Sequence, residues 1–320
     1  MAQPIIQPMH LVLPFASAMS PSAAHAATTL TLPHLERLLA RLTAGPRLAG
    51  EELSLSAPHE RVLAELREWP WLDGLLPTAA EAARRDGLAP APGSGWGLLS
   101  PSHWHLGTEQ VSLTNPAALQ LDEATSRQLF DAVKFLFEDD GWRLHWGAPS
   151  RWYAEHDSLA TLPTASLDRV VGRNVDLWLT MQVEGRRIRR LQAEVQMLLY
   201  THAVNEQREA QGLKPVNSFW LSGTGPAAPP AAGPDTWQVL DGLREPALAE
   251  DWAAWAEAWQ AIDAGPMREL LAEALAGRPA QLTLCGERHA QHFAAQPRPW
   301  WRSGLLARQR VAAAPLLAEL

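Results

Sequence analysis

Short strand-like segments alternate with segments of helical periodicity along the whole 320-residue chain. The strand-like segments are short and mainly apolar, as in Met9–Pro14, Val216–Leu221 and Ala280–Leu284. The helical segments have apolar residues three and four positions apart, as between Asp122 and Glu138. A chain that alternates in this way covers its sheet with layers of helices. The sequence therefore predicts an α/β protein with a layered sheet core.

The same patterns predict the remaining elements. Helices are expected over Pro33–Leu42, His59–Glu68, Ala79–Arg85, Arg186–Ala210, Trp252–Trp259 and Pro266–Ala276. Strands are expected over Gly97–Gly107, Gln110–Leu113, Trp142–Trp146, Val175–Met181 and Trp237–Leu240. The stretch Pro226–Pro234, which is rich in proline and alanine, is the most linker-like part of the chain.

Charge, cysteine content and hydropathy exclude several classes of protein. The net charge is −8, so no basic excess is available for nonspecific contacts with nucleic-acid phosphates. Cys285 is the single cysteine, which excludes an intramolecular disulfide and a cysteine-based zinc site. No apolar run approaches the roughly 18 residues of a spanning helix. We therefore expect neither a nucleic-acid partner nor a membrane partner.

The first residues resemble a secretory signal only in part. Leu11–Met19 is an apolar run, and Ala24-His25-Ala26 has the small-x-small form of a signal-peptidase site. However, no lysine or arginine precedes the run, and Pro14 interrupts it. We therefore expect Met9–Pro14 to be the first buried strand, followed by a loop, and the protein to be cytoplasmic.

One segment combines polar residues that suit an anionic ligand. His202, Asn205 and Arg208 are spaced at i, i+3 and i+6 in the predicted long helix, and Asn217 returns on the next strand. Arginine offers a charged fork and asparagine an amide that orients oxygen atoms. The alternative is that Asn205 and Asn217 satisfy buried backbone groups beside the turn while Arg208 is solvated.

This segment also carries a family resemblance. The residues concerned are His202-Ala-Val-Asn205-Glu-Gln-Arg208, Gly212-Leu-Lys-Pro215-Val-Asn217 and Gly223-Thr-Gly225. They resemble the archaeal-type cofactor-independent phosphoglycerate mutases, which carry His-Pro-Val-Asn-x-x-Arg, then Gly-x-x-Pro-x-Asn and a glycine pair. With Trp220-Leu221 the stretch looks closer still to bacterial regulatory proteins of the regulator-of-pathogenicity-factors type E family. The strong likeness covers Leu191–Gly225, and a weaker one extends from Met9 to Cys285.

The resemblance implies an alkaline-phosphatase-like core with an inserted α+β domain. The core would be discontinuous, formed by residues 1–98 and 218–320, and the inserted domain would span 99–217. The strands Met9–Pro14 and Ala280–Cys285 would be neighbours in the core. A small anion would bind in a polar cleft near the junction of the two domains. The expected ligand-binding residues are His202, Asn205, Arg208, Asn217, Gly223 and Gly225.

Mutases of this family hold two divalent metal ions with aspartate and histidine, and this chain departs from that pattern. Where their first strand ends in a metal-binding aspartate, it reads Leu13-Pro14-Phe15-Ala16-Ser17. Where they have Gly-Asp-His, it reads Gly286-Glu287-Arg288-His289, and the arginine opposes a cation. Ser222 stands where the mutases have arginine. We therefore expect no metal cofactor and no catalytic residue; the alternative is two divalent ions such as Mn²⁺.

Two weak metal candidates remain. His103 and His105 alternate along a predicted strand, so both side chains can face one side and bind zinc or iron. Glu287 and His289 form the second candidate pair, at the end of the late strand. Solvent exposure or hydrogen bonding is the more ordinary explanation for His103 and His105, and Arg288 opposes a cation at the second pair.

Three functions follow from these observations. The first is a catalytically degenerate phosphoglycerate-mutase-like protein with a regulatory or small-anion-binding role. The second is an active metal-dependent mutase or phosphatase. The third is a scaffold for an unknown protein partner, with Trp252, Trp255 and Trp259 as the contact stripe. An apolar helical face usually packs inward, so we expect this tryptophan stripe in the core.

Overall fold

A computed structural model describes residues 9–108, 110–179, 183–231, 233–295 and 309–320. The chain forms two compact units: unit 1 is Met1–Glu52 with Ala232–Leu320, and unit 2 is Leu53–Ala231. Each unit contains helices and a sheet of its own, which confirms the predicted α/β class. The boundary between Ala231 and Ala232 falls inside the proline-rich stretch that the sequence marks as linker-like.

Unit 1 is built on a five-stranded sheet. Numbered in chain order over the whole protein, its strands are β1 (Met9–Leu13), β2 (Leu42–Leu48), β9 (Trp237–Val239), β10 (Ala280–Cys285) and β11 (Ala290–Ala295). Their order across the sheet is β2-β11-β10-β1-β9. Strand β1 runs parallel to β9 and β10, with Met9 opposite Ala280 and Leu13 opposite Leu284. The predicted pairing of the first strand with the late strand is confirmed.

Helices of unit 1 bury an apolar core with this sheet. They are α1 (Pro21–Thr29), α2 (Pro33–Leu39), α9 (Arg244–Leu248), α10 (Trp252–Ile262), α11 (Arg268–Leu275) and α12 (Ala313–Ala318). Trp255 and Trp259 of α10 are 1% and 0% exposed. Their indole N–H groups donate to the carbonyls of Phe15 and Ala16, just after β1. The expected inward packing is confirmed for Trp255 and Trp259, while Trp252 is half-buried.

A buried carboxylate connects two of these helices. Asp263 begins the π-helical turn Asp263–Met267 that joins α10 to α11, and its carboxylate accepts from the backbone N–H groups of His34 and Leu35. It thereby caps the first turn of α2 from outside that helix, where Leu32 supplies no side-chain cap. Pro266 lies inside this continuous helical stretch, so the predicted helix start at Pro266 is wrong.

We expect Asp263→Ala to lower the free energy of unfolding by about 1–2 kcal/mol, because two N–H groups lose their acceptor. Urea unfolding followed by circular dichroism measures the effect. Asp263→Asn keeps one oxygen for the cap and serves as the matched variant, with a smaller loss. Equal stability of wild type and Asp263→Ala would contradict the capping role.

Unit 2 contains a four-stranded antiparallel sheet and a short hairpin. Its strands are β3 (Gly95–Ser102), β4 (Trp104–Leu106), β5 (Val111–Leu113), β6 (Arg143–Ala148), β7 (Arg151–Glu155) and β8 (Ser218–Pro226). The sheet order is β6-β7-β3-β8, and β4 pairs with β5. Leu99 lies inside β3 and pairs with Leu221 of β8. The boundaries expected for an insertion, Leu99 and Asn217, therefore fall within unit 2, whose limits are Leu53 and Ala231.

Six helices complete unit 2 among its described residues. They are α3 (Pro58–Leu66), α4 (Thr78–Arg85), α5 (Glu123–Glu138), α6 (Leu167–Val170), α7 (Val183–Tyr200) and α8 (Ala203–Ala210). The predicted single helix Arg186–Ala210 is wrong, since α7 ends at Tyr200. His202 has extended backbone angles and caps α8 with its own side chain. The N-cap interaction stabilises a new helix start where periodicity alone suggested continuity.

Two other predicted elements differ from the structure. Val175–Leu177, expected as part of a strand, is a 3-10 turn because Asn174 accepts a hydrogen bond from the N–H of Asp176. The end of that predicted strand, 180–181, lies outside the described residues. Leu42, expected as the last residue of a helix, begins β2 and pairs with Ala295 of β11. No helix in the described ranges is long and apolar enough to cross a membrane.

Candidate functional site

The structure brings four of the predicted ligand-binding residues together around one turn. We call His202, Asn205, Arg208 and Asn217 the turn cluster. His202 is the N-cap of α8, Asn205 and Arg208 lie on α8, and Asn217 ends the connection between α8 and β8. Their polar atoms decide whether the cluster can hold a ligand, because a group already bonded to the main chain is not available to one.

Asn205 binds the main chain through both ends of its amide. The residue is 4% exposed. Its Nδ2 donates to the carbonyls of Leu199 at 2.9 Å and Val216 at 2.8 Å. Its Oδ1 accepts from the N–H of Val216 at 2.9 Å. The side chain thus fastens the end of α7 to the residue that precedes β8.

Asn217 and His202 also bind the backbone. Asn217 Nδ2 donates to the carbonyl of Trp104 at 3.0 Å, and its Oδ1 accepts from the N–H of Trp104 at 2.8 Å. This pair of bonds mimics a peptide group in a β-ladder and holds the start of β4. His202 Nδ1 accepts from the N–H of Val204 at 3.3 Å, as the N-cap of α8.

Arg208 is buried rather than solvated. It is 3% exposed. Its Nε donates to the carbonyl of Lys214 at 3.0 Å and its Nη2 to the carbonyl of Leu119 at 2.5 Å. Burial lowers the pKa of Arg208 from its ordinary value, while the Asp122 carboxylate acts in the opposite direction. The expectation of a solvated Arg208 in the turn alternative is wrong, although the guanidinium does bind one backbone carbonyl of that turn, that of Lys214.

Gly223 and Gly225 lie where β8 passes the start of α4. Gly223 has a φ of 66°, and a Cβ there would lie 2.5 Å from Thr78 Oγ1 and 2.8 Å from the N of Ala79. Gly225 has a φ of 147° and a Cβ there would approach the N of Pro77 to 3.2 Å. Glycine is needed at Gly223 for both the backbone angle and the close packing. The absence of a side chain at Gly223 lets β8 pack closely against the start of α4.

His103 and His105 do not form a metal pair. His103 Nδ1 lies 3.0 Å from the carbonyl oxygen of Pro215, a contact that requires an Nδ1–H donor. Burial is the main cause of the lowered pKa of His103. His105 lies on β4 and is exposed. No group of three or more histidine, cysteine, aspartate or glutamate side chains suited to a metal ion occurs in the part of the chain that the structure describes.

The second region of interest is the edge of the unit 1 sheet where β1 and β10 end. Ligands of open α/β sheets bind outside the carboxyl ends of parallel strands, and β1 and β10 end side by side. Phe15, in the loop after β1, has a φ of 57°, an uncommon left-handed conformation for a residue with a side chain. Ser17 follows and is buried.

Glu287 and His289, which follow β10, bond to backbone donors. Glu287 Oε2 accepts from the N–H of Met19 at 2.7 Å. His289 Nδ1 accepts from the N–H of Gly50 at 3.1 Å, so its proton is on Nε2. Each side chain therefore links a loop of unit 1 to the turn between β10 and β11.

Sequence reasoning missed a polar cluster beside α3. His59 Nε2 lies 3.3 Å from Asp168 Oδ2, and Ser166 Oγ donates to Glu60 Oε1 at 2.9 Å. Burial raises the pKa of Glu60. In a catalytic triad the serine hydroxyl is hydrogen-bonded to the imidazole of the histidine. The Ser166 hydroxyl is bonded to the Glu60 carboxylate instead, so the cluster lacks triad geometry. Glu60 Oε2 also accepts from the N–H of Ala57, the N-cap of α3, but no local pattern connects Glu60 to Ser166, which lies 106 positions later.

A row of three side chains across the unit 1 sheet was also missed. His10 Nε2 lies 2.8 Å from Thr283 Oγ1, which lies 3.1 Å from His292 Nδ1. Burial, with a smaller contribution from His292, lowers the pKa of His10 to about 4. Burial also lowers the pKa of His292. Side chains alternate between the two faces of β1, so His10 and Leu11 lie on opposite faces. That Thr283 and His292 are the partners of His10 follows only from the register of β1, β10 and β11.

Together the fold and these contacts define a two-unit α/β protein whose candidate residues largely bind its own main chain. No protein-family model matches the chain, and a search of curated proteins gave no match. Solved structures similar to it include the cofactor-independent phosphoglycerate mutase from Thermoplasma acidophilum, at 12% identity and a TM-score of 0.38, over 90% of this chain and 89% of that one. Another is the PH0037 protein from Pyrococcus horikoshii, at 10% identity and a TM-score of 0.49, over 97% and 92%. At these identities neither similarity assigns a role to a residue.

Proposed function

We propose that this chain is a catalytically degenerate relative of the cofactor-independent phosphoglycerate mutases, with a regulatory role that depends on a small anion. The sequence likeness over Leu191–Gly225 supports the relationship, and Trp220-Leu221 favours the regulator-of-pathogenicity-factors type E branch. An alkaline-phosphatase-type core belongs to the same proposal. The residues that follow β1 and β10 support the loss of mutase chemistry.

The observation that carries the proposal is that the side chains of Glu287 and His289 accept hydrogen bonds from backbone N–H groups. A two-metal centre needs several carboxylate and imidazole groups that converge on the metal ions and leave room for the phosphoryl oxygens. Here Glu287 Oε2 and His289 Nδ1 accept from Met19 and Gly50. The loop from Pro14 to Ser17 adds no carboxylate or imidazole. These residues do not fit two divalent ions.

The turn cluster contributes to the fold in this proposal rather than to ligand binding. Its two amides and its guanidinium already bind carbonyl and N–H groups of the adjacent backbone. A ligand at this position has to displace several of those bonds, each of which leaves a buried backbone group without a partner. The proposed anion site therefore lies elsewhere in the molecule.

We expect the purified full-length chain to contain no stoichiometric divalent metal and not to interconvert 2- and 3-phosphoglycerate. Metal content is measured by mass spectrometry. Turnover is measured with and without added Mn²⁺, and an authentic mutase provides the positive control. Turnover that appears with Mn²⁺ and disappears on chelation would contradict the loss of catalysis and favour an active mutase.

The same preparation tests whether the chain binds a small anion. We expect phosphate, 3-phosphoglycerate or citrate to raise the melting temperature, because a ligand that binds only the folded state stabilises it. Sodium chloride at equal ionic strength is the control, since screening weakens exposed charge interactions over a Debye length of about 8–10 Å. If none of the three anions exceeds the chloride control, the anion-binding part of the proposal fails.

A further inference from the structure

Two consecutive backbone N–H groups hold one oxygen atom at the edge of the unit 1 sheet. The N–H groups of Arg288 and His289 donate to the main-chain oxygen of Leu320 at 3.1 Å and 2.7 Å. Successive N–H groups that converge on one oxygen form a concavity that favours negative charge. The two donors belong to the turn that follows β10, at the edge where α/β sheets bind their ligands.

The turn leaves no free space between Leu320 and the loop after β1. A Cβ on Gly286 would lie 2.5 Å from Ser17 Oγ and 2.6 Å from the Cβ of Leu320. Real Cβ atoms do not approach other atoms so closely, so glycine is required while Leu320 is in place. The oxygen of Leu320, the two N–H donors and Ser17 therefore share one small region.

Apolar packing holds the covering segment in place. Ala313, Leu317 and Leu320 are buried and belong to the apolar core of unit 1. Pro315 and Ala318, on the same short helix, are exposed. The segment therefore stays seated through a few apolar side chains, and a change at Leu317 alone is enough to weaken its attachment.

Charge around the two donors is mixed and favours a modest affinity. Arg288 contributes a guanidinium, whose Nη2 lies 3.6 Å from Met19 Sδ in the loop after β1. Glu287 contributes a carboxylate, which is bonded to the N–H of Met19. An oxyanion at the two N–H groups gains from the first and is repelled by the second, so the backbone donors are the main attraction.

We propose that the N–H groups of Arg288 and His289 are a binding site for a small oxyanion, and that residues Ala313–Leu320 cover it as an internal ligand that the anion displaces. The inference rests on the proposed function and names the position of its anion. A carboxylate and a phosphate present the same oxygen chemistry to two N–H donors. Citrate, which has only carboxylates, and inorganic phosphate therefore serve as the probes that distinguish a carboxylate ligand from a phosphate ligand, while 3-phosphoglycerate presents both groups.

Leu317→Asp in the full-length chain tests the inference. The substitution places a charge in the core position that seats the segment, and isothermal titration with each probe follows. We expect an affinity at least about tenfold above wild type, because the open state no longer has to be created on binding. Ala318→Asp adds the same charge at an exposed position of the same helix and should bind as wild type does. Adding Gly286→Ala to Leu317→Asp should reduce binding again, since the new methyl group occupies the site.

If Leu317→Asp does not fold, hydrogen exchange on the wild-type chain tests whether the anion displaces residues 313–320. With saturating probe, the amides of 313–320 should exchange faster than without it, and those of β1 should not. Anion binding without faster exchange, or equal affinities of wild type and a folded Leu317→Asp, would overturn this site while the proposed function survives. Absence of binding to both wild type and Leu317→Asp would overturn the anion role as a whole.

Discussion

Replacing Asn205 with alanine is expected to lower the free energy of unfolding by about 3 kcal/mol, the largest effect anticipated for a single substitution here. The substitution removes the partner of three main-chain groups: the carbonyl of Leu199 and both the carbonyl and N–H of Val216. Leu199 and Val216 are fully buried, so water cannot readily replace the amide. Chemical unfolding monitored by tryptophan fluorescence measures the loss.

Two further substitutions make this experiment specific. Gln207→Ala changes an exposed residue of the same helix and should leave stability within about 0.5 kcal/mol of wild type. Asn217→Ala should cost less than Asn205→Ala, because Asn217 is only half-buried. If Asn205→Ala retained full stability but lost the stabilisation given by phosphate or citrate, the turn cluster would be a ligand site and its assignment to the fold would be wrong.

Acidification from pH 7 to pH 4 is expected to remove about 2–3 kcal/mol of stability through His10 alone, since one pKa unit corresponds to about 1.4 kcal/mol. Burial lowers the pKa of His10 from 6.5 to about 4 in the folded chain. Below its ordinary pKa the unfolded chain binds a proton that the folded chain does not. The contribution of neutral His10 to the free energy of unfolding is therefore complete above about pH 6.5 and is lost as pH falls toward 4.

The pH dependence is isolated by comparing two histidine substitutions. His10→Asn removes the titrating group from β1, whereas His25→Asn changes an exposed histidine of α1. Stability measured in urea at pH 7, 6, 5 and 4 should fall less steeply for His10→Asn than for wild type. His25→Asn should follow wild type. Equal slopes for His10→Asn and wild type would contradict a buried neutral His10.

Several elements were predictable because their signals are local. The helical periodicity that begins at Asp122 predicted α5, and in the structure the Asp122 side chain caps this helix by accepting from the N–H of Thr125. The strands β1 and β10 were recognised from short apolar runs, and their pairing followed from the family resemblance. The predicted helix end at Ala210 is also the end of α8, and Gly212 follows it with a φ of 73°.

The elements that were mispredicted depend on competing local contacts. Apolar periodicity runs through Thr201 and His202, yet the His202 side chain starts a new helix. Val175–Leu177 has the alternation of a strand, but the Asn174 side chain favours a turn. In both cases a side-chain hydrogen bond to the backbone outweighs the hydrophobic pattern, which reports burial and not the backbone path.

The sequence by itself determined the α/β class, the linker-like stretch at the unit boundary and the set of polar residues near the α8–β8 turn. Only the tertiary structure decided what those residues do. Asn205 and Arg208 bind carbonyls that lie from six to 89 positions away in the chain. Leu320 reaches the donors after β10 through folding of the whole of unit 1. A hydrogen bond depends on the distance between donor and acceptor and on their direction in space. The number of positions between two residues gives neither quantity when they lie far apart in the chain.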